Sequence, residues 1–91
     1  MSQPVNENGA FKNLSATAAV SSGPCQLIGF YVNSTSTGTL VLRDGGASGT
    51  VLCGTITPAI GFHRYPATIG TSLHATIANT LDVTFFFASG N

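Results

Sequence analysis

Charge is scarce in this sequence: among its 91 residues only Lys12, Arg43, Arg64, Glu7, Asp44 and Asp82 carry an unambiguous charge, 7% of the chain. An average globular chain carries about 25%. The net charge is zero, and three separated bases cannot build the basic stripe with which proteins neutralise phosphates, so nucleic acid is excluded as an expected partner. Long apolar runs are lacking as well. Nothing approaches the ~20 residues that cross a bilayer as a helix, and no membrane partner is expected. Met1-Ser2-Gln3-Pro4 shows neither a basic nor an apolar signal region, so synthesis in the cytoplasm of a host cell is the expectation. Cysteine is limited to Cys25 and Cys53, which in a reducing compartment act as small buried hydrophobes with free thiols. Helical patterning is missing too, because Gly or Pro interrupts almost every window of ten residues.

Ser, Thr and Gly take the place of charge, with 9, 12 and 11 residues. Large apolar residues are nevertheless plentiful: 43% of the chain is hydrophobic and the mean hydropathy is +0.32. That composition folds, since disorder goes with low hydrophobicity and high net charge. A chain this short buries only about 60% of its unfolded surface by itself, so the apolar excess predicts self-association as a homodimer or homotrimer. One domain is all the length allows.

Turn-forming residues at 22–24, 33–38, 44–46, 57–61, 66–70 and 78–79 punctuate the chain at the rhythm of short strands in a sandwich or barrel. The β-branched and aromatic runs between them predict seven strands, at 16–20, 25–33, 38–43, 50–56, 61–65, 71–77 and 81–88. Alternation puts Leu40 and Leu42 on one face opposite Thr39 and Val41, and Leu73, Ala75 and Ile77 opposite His74 and Thr76. Residues 25–32 and 83–87 are apolar on both faces, as in central strands or at a subunit contact. Residues 1–14, polar apart from a few anchors such as Val5 and Phe11, read as an extended arm before a β-sandwich domain at 15–91.

Candidate chemistry is sparse. His63 and His74 are the only histidines and stand in no metal-ligand spacing. No nucleophile elbow is present, and Asp44, one of only two aspartates, is explained by the hairpin turn Asp44-Gly45-Gly46. The Gly-rich stretch 44–50 has neither the Lys nor the following helix of a phosphate loop. No enzymatic activity, metal or cofactor is expected. Asn13-Leu14-Ser15 and Asn33-Ser34-Thr35 match a glycosylation sequon, a pattern common by chance in Ser/Thr-rich chains. Arg64, flanked by Phe62, His63, Tyr65 and Pro66, has the composition of a contact hot spot; a protected edge strand accounts for it equally well.

Four segments carry a resemblance: Ser21-Ser22-Gly23-Pro24-Cys25-Gln26-Leu27-Ile28-Gly29-Phe30-Tyr31-Val32-Asn33, the hairpin from Gly38-Thr39 to Asp44-Gly45, Ile69-Gly70-Thr71-Ser72-Leu73, and Asp82-Val83-Thr84-Phe85-Phe86. Over residues 16–88 they resemble the small all-β capsid decoration, or cement, proteins of tailed bacteriophages. The chain departs from that pattern at His74, where an aromatic residue is expected, and at Cys25 and Cys53. The resemblance implies an all-β, jelly-roll-like antiparallel sandwich on the outer surface of the virion, bound to the major capsid protein and bridging coat subunits. A receptor- or glycan-binding module of a head spike or tail fibre is the alternative. Expected oligomer or capsid contacts are Val5, Phe11, Phe62, Arg64, Tyr65, Phe85, Phe86 and Phe87.

Overall fold

A computed structural model of the chain describes residues 10–89. Six strands make one antiparallel sheet: β1 (Ala10–Leu14), β2 (Ala18–Ala19), β3 (Cys25–Asp44), β4 (Thr50–Ile56), β5 (Gly61–Ile69) and β6 (Leu73–Ser89). The all-β expectation holds. The strands at 25–33 and 38–43 are one continuous strand, as are those at 71–77 and 81–88, which reduces the seven expected strands to five; β1, not expected as a strand, makes six. β6 pairs along the full length of β3. On its other side β6 holds β1 and β2, while the far edge of β3 holds β5 against its first half and β4 against its second. The last five residues of the expected arm, Ala10–Leu14, are therefore a sheet strand, paired with Val83 to Phe87. The rest of the arm lies outside the described residues.

A straight 20-residue strand would reach about 65 Å, whereas the longest dimension of the molecule is 45 Å. β3 has to bend, and its hydrogen bonds locate the bend. Tyr65 of β5 pairs beside Ile28, and Leu52 of β4 beside Leu42 and Arg43, positions about 45 Å apart on a flat sheet. Yet the Tyr65 hydroxyl donates to the Leu52 carbonyl at 2.9 Å. The sheet is thus doubled over, with β3 and β6 running through both layers. The ends of β3 also meet: Ile69 pairs with Cys25 at one end, and the Asp44 carboxylate at the other end accepts from the amides of Gly70, Thr71 and Ser72.

The corner falls where Asn33 to Gly38 and Ala78-Asn79 predict turns. Thr37 and Asn79 take left-handed backbone angles (φ 55° and 61°), and the register slips between Ser36 and Thr37. These are bulges, which add twist and bend without ending a strand. The Asn79 side chain donates to the Thr37 carbonyl at 2.9 Å, tying the two bends together. A side chain at Gly38 would collide with the Thr80 carbonyl and with Leu81, so the corner closes only over glycine.

Doubling the sheet turns one face of each half inward. Leu27, Phe30, Val32, Leu40, Leu42, Leu73, Ala75, Leu81, Val83 and Phe85 form a single core drawn from both halves. Burying each large side chain contributes roughly 1.5–3 kcal/mol. The expected alternation of Leu40 and Leu42 with Thr39 and Val41 is observed; at 73–77 it is not, because His74, paired with Ala19 and Arg43, is buried along with Leu73 and Ala75, and Ile77 is only partly buried.

Candidate functional site

Among the described residues, most of the exposed aromatic side chains stand on the outward face of the layer β1–β6–β3–β5; Val51 on β4 and Ile60 before β5 are exposed elsewhere. Phe85 and Phe87 point into the core, so period-2 alternation sends Phe86 out. Phe30 points in and Tyr31 out by the same rule. Register then places Phe11, Phe86, Gly29 and Arg64 side by side across four strands, and Asn13, Thr84, Tyr31 and Phe62 in the next row. Phe11 is 73% exposed, Phe62 51%, Tyr31 42% and Phe86 36%. Gly29 leaves a gap in the first row, and Phe62 leans over it, with its ring tip 2.9 Å from where a Cβ would stand. The Phe62 and Phe86 rings, with centroids 6.3 Å apart and tilted by 52°, meet across that gap in the edge-on manner aromatic rings prefer.

At Asn13 and Thr84 the second row runs into a polar cluster. The Asn13 amide nitrogen donates to Asp82 Oδ1 at 2.7 Å and to Thr84 Oγ1 at 3.0 Å. The Asn33 amide nitrogen donates to Thr84 Oγ1 at 2.9 Å and to Asp82 Oδ1 at 3.4 Å. Three strands therefore converge on one hydroxyl and one carboxylate oxygen.

Of the expected contact residues, Phe11, Phe62, Arg64 and Phe86 are brought together on this face. Phe85 and Phe87 are not contacts, because both are buried in the core. Tyr65 is half-buried and spans the two layers; burial, reinforced by the neighbouring Cys53 thiol, pushes its phenol above the ordinary range. Val5 lies outside the described residues. Tyr31, Asn13, Asn33, Asp82 and Thr84 went unrecognised in the sequence. Their signal is the outward half of the alternation, readable only once the register of β1, β6, β3 and β5 is known. The two Asn of the discounted sequons, Asn13 and Asn33, turn out to share hydrogen-bond partners.

The remaining polar residues are structural in their geometry. His63 stacks on Phe30 (5.3 Å between centroids) with its Nε2 2.7 Å from the Ala59 carbonyl oxygen. Asp44 accepts from three backbone amides, foremost those of Gly70 and Thr71, which hold its carboxyl below the usual carboxylate range. His74, buried, pairs in register with Arg43, and His74 Nε2 and Arg43 Nε both lack a hydrogen-bond partner. Cys25 is buried and Cys53 half-buried, both as free thiols. Among the described residues no three of His, Cys, Asp or Glu cluster as a metal site, and no helix is long and apolar enough to cross a membrane.

Three comparisons, with family models, with curated proteins and with solved structures, find no match to this chain.

Proposed function

We propose that this chain is a structural virion protein that attaches to the outer surface of a tailed-phage capsid, contacts the major capsid protein and bridges coat subunits. The observation that carries the reading is the aromatic outer face, on which Phe11, Phe62 and Phe86 stand exposed among the described residues on three different strands of one sheet. Aromatic residues with an adjacent Arg are the side chains that dominate protein contacts, and Arg64 lies in the same row. The sequence motifs of residues 16–88 supply the virion context, and a jelly-roll-like sandwich is the form they imply. Scarce charge, abundant main-chain pairing and a doubled sheet suit a protein that must persist on a particle. The same face serves a homodimer or homotrimer contact in the unattached protein.

Binding to phage particles stripped of this chain tests the reading. Wild-type protein should bind with little dependence on salt, since few charges are available for ions to screen. A Phe62→Ser/Phe86→Ser double variant that stays folded should lose binding by about a thousandfold, as expected for two anchors worth about 2 kcal/mol each. Unchanged binding by the double variant, or a steep loss of wild-type binding with salt, contradicts it.

A further inference from the structure

We infer that the polar end of the outer face, formed by Tyr31 with Asn13, Asn33, Asp82 and Thr84, is a binding subsite for an uncharged saccharide whose ring hydroxyls are equatorial. The argument starts from what the cluster's own hydrogen bonds leave unused. Both amide nitrogens are spent on Thr84 Oγ1 and Asp82 Oδ1. Among the described residues the amide oxygens of Asn13 and Asn33, Asp82 Oδ2 and the Thr84 hydroxyl proton have no partner. The cluster thus offers three acceptors and one donor, fixed in direction by bonds that pull from three strands. A ligand that satisfies it brings several donors and at least one acceptor on a short rim, which is what a row of sugar hydroxyls provides.

Charge narrows the class further. Asp82 is the only ionised group of the cluster, so a phosphate or carboxylate ligand would meet repulsion. Both Asn side chains turn their amide nitrogens toward Asp82 Oδ1 and Thr84 Oγ1, so their amide oxygens face away from the carboxylate and do not converge with it on one cation. An uncharged ligand remains. Tyr31 completes the site: its ring is exposed beside Thr84 in register, with Phe62 on its other side. An all-equatorial pyranose has a flat C–H face that covers such a ring and a hydroxyl rim that reaches the neighbouring polar groups. The subsite does not depend on the capsid reading, though its row also holds Phe62, a ring which that reading assigns to the coat contact.

The test is a titration of isotope-labelled full-length protein with cellotetraose, followed by amide NMR. Saturable shifts should appear in the side-chain amides of Asn13 and Asn33 and in the backbone of Tyr31, with a dissociation constant of about 1 mM or tighter. Tyr31→Ala and the Asn13→Ala/Asn33→Ala pair should each weaken binding by about tenfold or more while the remaining spectrum stays folded, and Phe11→Ser should leave it unchanged. The paired Asn variant should also keep its attachment to stripped particles, which separates this site from the coat contact. Absence of saturable shifts up to about 20 mM cellotetraose overturns the proposal. So do shifts that map elsewhere, or equal affinity in the paired Asn variant.

Discussion

The Tyr65 hydroxyl and the Leu52 carbonyl, 2.9 Å apart, join two strands that pair at distant points along the same edge of β3. That bond links the layers of the doubled sheet. Tyr65→Phe keeps the ring and removes the donor, so a loss of about 1 kcal/mol is expected, the net contribution of one such bond. A denaturant series on both proteins measures it. Because burial raises the phenol's folded value above the ordinary value of about 10, its stabilisation is complete below that pH and declines as the pH rises past it. The Phe variant should lack this alkaline component.

Asp44 closes β3 onto the β5–β6 turn through three amide donors. Its folded value is depressed, so its contribution is full above the ordinary carboxylate value of about 4 and is lost as the pH falls through the lower folded value. Asp44→Asn, which gives up one accepting oxygen, should unfold at a lower temperature at pH 7. The difference from wild type should shrink on acidification below pH ~4. Melting curves across that range check both statements, and a constant difference at all pH values refutes the assignment.

His74 is buried with Nε2 unpartnered, next to Arg43, whose Nε is unpartnered too. Replacing an unsatisfied buried polar ring by an apolar one of similar size is neutral or stabilising. His74→Phe should therefore leave stability unchanged or raise it by up to about 1 kcal/mol. Loss of more than about 2 kcal/mol would show that the imidazole holds a bond, through water or Arg43, that the chain depends on.

Gly38 sits inside the corner, against the Thr80 carbonyl and Leu81. Gly38→Ala forces backbone to move and should cost more than about 2 kcal/mol, in the range of overpacked cores. Gly54, where an added Cβ would meet nothing within 4 Å beyond its chain neighbours, is the control: Gly54→Ala should change stability by less than about 1 kcal/mol. Thermal unfolding of the two variants side by side makes the comparison.

The core face at Leu40 and Leu42 was legible because they alternate with Thr39 and Val41; at Leu73 and Ala75 the intervening His74 is buried as well, which its polarity did not signal. The run Phe85-Phe86-Phe87 was not, since three identical side chains carry no period; only pairing with Phe30 and the doubled sheet decide that Phe86 faces out. Asn33 to Gly38 and Ala78-Asn79 do signal reversals of chain direction. Each becomes a bulged corner within a strand because β3 and β6 stay paired on both sides of it, and that long-range pairing leaves no local trace. Ala10–Leu14 looked like an arm for the same reason: its partner strand lies more than seventy residues away. The polar cluster combines β1, β3 and β6, so its residues share nothing in sequence that marks them as neighbours.

The central claim is that the aromatic outer face meets the coat protein. A cryo-EM reconstruction, at side-chain resolution, of phage particles carrying this chain tests it most directly. The account predicts Phe11, Phe62 and Phe86 within about 4.5 Å of coat-protein side chains, with the opposite layer turned to solvent. Particles in which those three rings face solvent while Arg43, Val41 and Thr76 line the contact would contradict it.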